Sequence, residues 1–180
     1  MTEEYKKIIS KFLSLVLRHK PQEINLTLNE NGWAEVEELI QKSARKGRHF
    51  TREELEEIVA TNDKKRFSFS EDKTKIRANQ GHSVEIDLAL QAIIPPDFLY
   101  HGTAEKHLAS ILANGIQKMN RQFVHLSQDT DTAFKVGARH GKPVVLTINA
   151  AQMYQDGLLF YQSDNGVWLT DLVASQYIKL

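Results

Sequence analysis

Hydrophobic residues recur at helical spacing in three early segments of the chain. Thr2 can cap the first helix, which Pro21 ends, and an Asn31-Gly32 turn precedes the second, which ends near Gly47. Thr51 and Glu54 form a capping-box pattern at the start of the third. The apolar positions of the three predicted helices are Tyr5, Ile8, Ile9, Phe12, Leu13 and Val16, then Val36, Leu39 and Ile40, then Leu55, Ile58 and Val59.

A strictly alternating segment follows these helices. From Arg66 to Ser70, the alternation places Phe67 and Phe69 on one face of a strand and Arg66 on the other. A polar turn at Glu71-Asp72 then returns the chain through residues 75–77, which predicts a hairpin. Three short helices followed by a hairpin is the order of a winged helix-turn-helix module.

The predicted hairpin is rich in basic residues, in a half of the chain that is otherwise balanced in charge. This pattern fits either a nucleic-acid contact or a solvated wing whose lysines serve solubility. The basic residues are Lys64, Lys65, Arg66, Lys73, Lys75 and Arg77.

The second half of the chain has a different organisation. Residues 79–97 form a loose connection that ends at Pro95-Pro96, so we expect two domains, residues 1–92 and 93–180. Helical patterns are limited to Ala104 to Asn114 and Thr132 to Ala138. The class predicted for the chain is therefore α+β with antiparallel strands. The strand-like segments are residues 99–101, 123–126, 144–148, 158–161, 167–169 and 177–180.

Composition narrows the classes of function. Lys plus Arg equals Asp plus Glu at 23 each, so any contact with nucleic acid must be local. There is no cysteine, and the histidines lack zinc-binding spacing, so we expect no metal. The acidic N-terminal residues do not form a signal peptide, and no apolar run can span a bilayer. We expect a cytoplasmic protein that does not act at a membrane, with no obligate protein partner.

Two arginine-histidine pairs are candidates for phosphate chemistry. Arg18-His19 ends the first predicted helix, and Arg139-His140 lies between Gly137 and Gly141. The arginine fork matches phosphate oxygens, and an imidazole can donate a hydrogen bond or move a proton. Dinucleotide-fold and Walker A glycine motifs are absent, so neither a Rossmann nor a P-loop enzyme is indicated.

A second candidate site lies in the C-terminal half. His101-Gly102-Thr103 follows a short predicted strand and leads into a helix, where Gly102 can let a ligand approach the backbone. The same tripeptide also fits a simple strand-to-helix turn. His125 and Ser127 share one face of another predicted strand, although either histidine can be a core residue.

Together these stretches resemble the RNA 2′-phosphotransferase family, which removes the splice-junction 2′-phosphate from transfer RNA using NAD. They occur in order along nearly the whole chain. The matching stretches are Lys11 to Ser14, Leu17 to Pro21, Asp63 to Phe67, Arg77 to Ser83, Tyr100 to Thr103, Val136 to Gly141 and Asn165 to Thr170.

The resemblance implies an N-terminal winged-helix lobe that binds RNA and a C-terminal ADP-ribosyltransferase-like lobe that binds NAD. It places four catalytic residues at Arg18, His19, Arg66 and Arg139. It places the NAD pocket at His101, Gly102, Thr103, His125 and Ser127, with Gly81 and His82 nearby. The implied partners are an RNA bearing a 2′-phosphate and NAD, which is consumed.

The implied reaction has two steps, through an ADP-ribosylated 2′-phospho-RNA. Its products are RNA with a 2′-hydroxyl, ADP-ribose 1″,2″-cyclic phosphate and nicotinamide. His19 moves a proton as either acid or base, and both assignments stay open. ADP-ribosyltransferases for neutral acceptors commonly use a glutamate where this chain has Val167.

Two other functions stay open at the level of sequence. One is an ADP-ribosyltransferase for another acceptor, such as a terminal nucleic-acid phosphate or a protein side chain. The other is a winged-helix regulator that senses NAD without chemistry, which the two arginine-histidine pairs disfavour.

Overall fold

The chain divides into two compact units. The computed structural model describes all residues from Met1 to Leu180, and its units are Met1–Ala89 and Leu90–Leu180. The division lies a few residues before the boundary expected at residue 92, in a stretch without helix or strand that runs from residue 79 to residue 97. Both units combine helices with small antiparallel sheets, so the predicted α+β class is confirmed.

The first unit contains three helices and one three-stranded sheet. Its sheet has the order β1-β3-β2, and both pairs of strands are antiparallel. A short 3-10 helix, Pro21–Ile24, follows the first helix. The elements are α1 (Glu3–Arg18), β1 (Ala34–Glu35), α2 (Val36–Ala44), α3 (Arg52–Thr61), β2 (Phe67–Phe69) and β3 (Lys75–Ala78).

Local sequence signals explain why these elements begin where they do. The Thr2 hydroxyl accepts a hydrogen bond from the Tyr5 amide at the start of α1. Thr51 and Glu54 form the predicted capping box of α3. The hairpin is also confirmed, since Phe67 pairs with Ala78 and Phe69 with Ile76. Strand β1 was not predicted because two residues are too few to show an alternating pattern.

The second unit contains two three-stranded sheets, β4-β6-β9 and β5-β8-β7. An isolated bridge between Tyr100 and Ser127 joins strand β4 to the end of β5. No helix of either unit combines the length and the apolar character needed to cross a membrane. The elements are β4 (Phe98–Ala104), α4 (Leu108–Asn114), β5 (Val124–Leu126), α5 (Thr130–Ala138), β6 (Pro143–Asn149), α6 (Ala150–Gln155), β7 (Tyr161–Gln162), β8 (Trp168–Thr170) and β9 (Ile178–Lys179).

Two predictions for this unit need correction. His101, Gly102 and Thr103 lie inside β4, not in a turn after it, because the strand pairs with β6 as far as Ala104. Helix α6 was not predicted, although Asn149 caps it by accepting a hydrogen bond from the Gln152 amide. Its helical signal is weak because the helix has only 6 residues.

Two glycines allow α5 to lie directly on β4. A Cβ atom at Gly102 would come within 1.6 Å of the Ala133 carbonyl oxygen of α5. A Cβ atom at Gly137 would come within 2.6 Å of the Thr103 carbonyl oxygen of β4. The glycine at position 102 is therefore required by packing against a helix, not by a ligand approaching that face of the strand.

The close contact between α5 and β4 predicts that Gly137→Ala destabilises the second unit. Alanine in a helix is normally favoured over glycine by up to about 1 kcal/mol. Here the added methyl group collides with backbone atoms of Thr103, so we expect a loss of about 1 to 3 kcal/mol and a lower Tm.

Thermal unfolding of the purified variant measures this effect. Lys135→Ala, at an exposed position of the same helix, is the control and should change stability by less than about 0.5 kcal/mol. A Gly137→Ala protein more stable than wild type would contradict the close crossing.

Candidate functional site

The end of α1 is covered by the segment of residues 81–84. The Arg18 carbonyl accepts hydrogen bonds from the amides of Ser83 at 2.9 Å and Val84 at 3.3 Å. The Nδ1 atom of His19 lies 2.9 Å from the Ser83 hydroxyl. These contacts satisfy a carbonyl left unpaired at the helix end and fix both the arginine and the histidine.

Gly81 lies against the guanidinium group of Arg18. Its φ angle is +86°, and a Cβ atom there would be 3.4 Å from the Arg18 Cζ atom. Glycine suits this position for two reasons: it adopts the positive φ angle without strain, and it leaves space for the arginine side chain.

His82 is buried beside these cations. Its side chain is 1% exposed, and neither ring nitrogen has a hydrogen-bond partner. Burial lowers the pKa of His82 to about 3, with help from the positive charges of Arg18, Arg77 and His19. The ring is therefore neutral near pH 7.

The backbone of Arg66 is held by Asn79, two residues before the segment that covers the end of α1. Its amide donates to the Asn62 side chain at 3.2 Å, and its carbonyl accepts from the Asn79 amide at 2.8 Å. Asn62 in turn donates to the Ser10 hydroxyl of α1 at 3.2 Å. Three of the predicted catalytic residues, Arg18, His19 and Arg66, are thus fixed by one backbone stretch of the first unit, residues 79–84.

The hairpin tip is not a free basic surface. Lys73 pairs with Glu56 at 3.4 Å, and Lys75 lies 3.8 Å from Glu35. The tip also contains Asp72, whose pKa is lowered to about 2 by hydrogen bonds from Thr74 and Ser70. Because acidic groups balance these lysines, the structure favours the solvated-wing interpretation for the tip of the hairpin.

His101 in the second unit is held in one tautomer. Its Nδ1 atom lies 3.2 Å from the carbonyl oxygen of His125, which can only accept, so Nδ1 carries the proton. Burial lowers the pKa of His101, which keeps the ring neutral. The Nε2 atom is left with a lone pair that can accept a hydrogen bond from a ligand hydroxyl or amide.

His125 has the complementary tautomer. Its Nδ1 atom lies 3.2 Å from a guanidinium nitrogen of Arg121, which can only donate, so the proton of the neutral ring is on Nε2. Ser127 is held beside this strand by paired backbone hydrogen bonds to Tyr100 at 2.7 and 2.8 Å. The structure therefore places the His101 ring against the His125 backbone, and the backbone of Ser127 against that of Tyr100.

The remaining predicted residues have different surroundings. Thr103 is buried, and by strand alternation it lies on the same face of β4 as His101. Gly81 and His82, which the sequence grouped with the NAD pocket, lie in the first unit against Arg18. Arg139 is exposed at the C-terminal end of α5 in the second unit, where the helix dipole favours a cation.

Sequence reasoning missed two side chains of these clusters. Arg121 fixes the tautomer of His125. The only signal for this contact in the sequence is that Arg121 lies four residues before His125. Ser83 contacts the imidazole of His19, and it belongs to a matching stretch but was given no role of its own.

An open cleft of about 400 Å³ lies at the far end of β4. Of the residues that the sequence singled out for chemistry, His140 lines it, whereas the four predicted catalytic residues and the predicted NAD-pocket residues do not. No group of three or more histidine and acidic side chains in the protein is arranged to hold a metal ion. The cleft is lined by Ala104, Glu105, Lys106, His140, Gly141 and Lys142.

Comparison with known proteins gives a consistent result over the whole chain. The model of the family described as RNA 2′-phosphotransferase, Tpt1 / KptA family, matches residues 4–172. The chain belongs to this family. The suspected relationship is confirmed, and the protein is an enzyme of the RNA 2′-phosphotransferase family.

Curated relatives share more than half of their residues with it. A probable RNA 2′-phosphotransferase of Flavobacterium johnsoniae is 55% identical over 179 residues, covering 99% of this chain and 98% of that protein. One of Acaryochloris marina is 58% identical over 172 residues, covering 95% and 94%. One of Streptomyces coelicolor is 51% identical over 179 residues, covering 99% and 97%.

The buried His82 predicts a specific pH dependence of stability. Its pKa is lowered from 6.5 in the unfolded chain, so on acidification the unfolded chain binds a proton that the folded protein does not. Stability of the first unit should therefore fall as pH drops below about 6.5, by up to about 1.4 kcal/mol per pH unit from this group.

Urea denaturation between about pH 7 and pH 5 measures this slope. In a Trp168→Phe background, Trp33 is the remaining tryptophan and reports on the first unit. His82→Gln should flatten the slope, whereas His49→Gln, at an exposed position of the same unit, should leave it unchanged. An unchanged slope in His82→Gln would contradict the neutral buried ring.

Proposed function

We propose that this protein removes an internal 2′-phosphate from RNA, with NAD as the second substrate. The observation that supports this most strongly is that the backbones of Arg18 and Arg66 and the ring of His19 are all held by residues 79–84, in a member of the RNA 2′-phosphotransferase family. A splice-junction 2′-phosphate of transfer RNA is the substrate that we infer.

The first unit is suited to bind the phosphate. Two guanidinium groups provide rigid forks for phosphate oxygens, and the adjacent imidazole of His19 adds a hydrogen bond. The positive charge of Arg18 attracts a phosphate, and after burial it is also a cause of the low pKa of His82.

The second unit is suited to bind a nucleotide rich in hydroxyl groups. His101 presents an acceptor at Nε2, His125 carries its proton on Nε2, and Ser127 adds a hydroxyl two residues along from His125. Such a mixture of acceptors and donors fits the ribose and amide groups of NAD. Thr103 lies on the same strand face as His101, and we assign it to the same pocket, with the backbone of Gly102.

In the first step, an oxygen of the RNA 2′-phosphate attacks the ribose carbon that bears nicotinamide. The new carbon–oxygen bond forms as the bond to nicotinamide breaks, and nicotinamide leaves. A phosphate monoester has a second pKa of about 6, so it is already an anion near neutral pH and needs no general base. The chain has Val167 where enzymes for neutral acceptors commonly have a glutamate, and a carboxylate there would repel the phosphate.

In the second step, the neighbouring 2″-hydroxyl of ADP-ribose attacks phosphorus. The bond between phosphorus and the RNA 2′-oxygen breaks, and the attacking hydroxyl loses the proton that the departing oxygen gains. Arg18, Arg66 and Arg139 stabilise the charge that develops on the phosphoryl oxygens. His19 moves the proton, either from the hydroxyl or to the RNA oxygen.

The architecture of the two units is consistent with this division of tasks. We infer that the first unit is a winged-helix lobe, from its three helices and the β2–β3 hairpin, and that it binds RNA. We infer that the second, with its two small antiparallel sheets, is an ADP-ribosyltransferase-like lobe that binds NAD.

The products distinguish this reaction from its alternatives. Incubation of the protein with NAD and a short RNA bearing one internal 2′-phosphate should give nicotinamide, 2′-hydroxyl RNA and ADP-ribose 1″,2″-cyclic phosphate, identified by mass spectrometry. A stable ADP-ribosylated RNA as the end product of the wild-type protein would instead indicate transfer to a phosphate acceptor without the second step. No release of nicotinamide would refute both activities.

Single substitutions should separate the two steps. Arg139→Ala, Arg66→Ala or His19→Ala should accumulate ADP-ribosylated RNA, because these groups act mainly when charge develops on phosphorus. We expect the second step to slow by at least about a hundredfold, and nicotinamide release to slow much less. Arg48→Ala, at an exposed position of the first unit, is the control and should leave both rates unchanged. Equal loss of both steps would overturn this division of roles.

A further inference from the structure

A line of cations extends along α1 from the phosphate cluster. In an α-helix, positions 7, 11, 14 and 18 fall within a narrow arc of one face, because successive residues are rotated by about 100°. We call the set of Lys7, Lys11, Ser14 and Arg18 the α1 stripe. It spans roughly 16 Å along the helix axis, at about 1.5 Å per residue.

The stripe is accessible and its lysines are not neutralised. Lys7 and Lys11 are exposed, whereas Ser14 and Arg18 are half-buried. Lys6 lies on a different face of α1 and forms ion pairs with Glu3 at 3.0 Å and Glu57 at 2.6 Å. Neither Lys7 nor Lys11 has a carboxylate within 4.0 Å. Glu4 lies on the same face beyond Lys7, so the cationic part of the face ends there.

The lysines of the hairpin, unlike those of the stripe, are balanced by acidic side chains. Lys73 and Lys75 pair with Glu56 and Glu35, and the turn between the strands adds Glu71 and Asp72. A phosphate chain is attracted by the summed field of a surface, not by individual lysines, so a locally balanced surface attracts it weakly. Of the α1 stripe and the hairpin, the stripe is the surface whose lysines have no ion pairs, and it continues to Arg18.

We propose that the α1 stripe binds the phosphodiester backbone of the RNA flanking the 2′-phosphate, and that the hairpin tip does not. This inference rests on the proposed function only in taking Arg18 as the position of the 2′-phosphate. Lys7 and Lys11 contact phosphates of neighbouring nucleotides, and Ser14 can donate a hydrogen bond to a phosphate oxygen between them. Contacts of this kind supply affinity and register without reading bases.

The test compares two double variants that each remove two lysines. The probes are a 2′-phosphorylated dinucleotide and a 2′-phosphorylated RNA of about ten nucleotides, both fluorescently labelled. Lys7→Gln with Lys11→Gln should weaken binding of the longer RNA about tenfold and should lower the slope of its salt dependence by about 1.4, which is two single-strand contacts. Binding of the dinucleotide should stay within about twofold of wild type. Lys73→Gln with Lys75→Gln is the matched control and should leave both affinities unchanged.

Turnover of the same RNAs with NAD is measured in parallel. For the stripe variant, KM of the longer RNA should rise while kcat stays unchanged, because Lys7 and Lys11, unlike Arg18, do not contact the reacting phosphate. Unchanged binding of the longer RNA, an equal effect on both probes, or a larger effect of the hairpin variant would each overturn the proposal.

The binding and turnover results separate this proposal from the proposed function. If wild type binds the longer RNA through the stripe but produces no nicotinamide, the proposed function fails and the docking surface stands. If turnover occurs and the stripe variant binds the longer RNA normally, the function stands and the docking surface is wrong. Thermal unfolding of both double variants checks that the fold is intact, since α1 ends at the catalytic cluster.

Discussion

The candidate site of the first unit depends on one backbone contact, the covering of the end of α1 by residues 83 and 84. A helix leaves its last carbonyls without partners, and here the Arg18 carbonyl is satisfied by amides more than 60 residues away in sequence. That contact brings Gly81 against the Arg18 guanidinium and Ser83 against the His19 ring. Without it, two functional side chains at a helix end would be free to adopt many rotamers, and each would lose entropy on binding a phosphate.

Local signals made much of the fold predictable from sequence. The cap at Thr2, the capping box at Thr51 and the alternation around Phe67 each depend on residues close in sequence, and each predicted its element correctly. The short strand β1 and helix α6 were not predictable in this way, because elements of 2 and 6 residues are fixed mainly by their tertiary neighbours.

The site residues were predictable to a different degree. Composition and motif order identified Arg18, His19, His101 and His125 as chemically suited residues. Their tautomers were not predictable, because they depend on whether a carbonyl or a guanidinium group faces each ring. The packing role of Gly102 was also not predictable, since only the structure shows that α5 occupies the face where a side chain would project.

The bridge between Tyr100 and Ser127 has a consequence for how the protein behaves in a concentrated solution. A sheet edge with unpaired backbone groups can recruit an edge of another molecule, and long edges are the most hazardous. Strand β4, with 7 residues, is the longest outer strand in the protein. The bridge to Ser127, just after β5, pairs the backbone of Tyr100 near the start of its open edge. The other outer strands have only 2 or 3 residues, so each of them offers few backbone groups to a strand of another molecule.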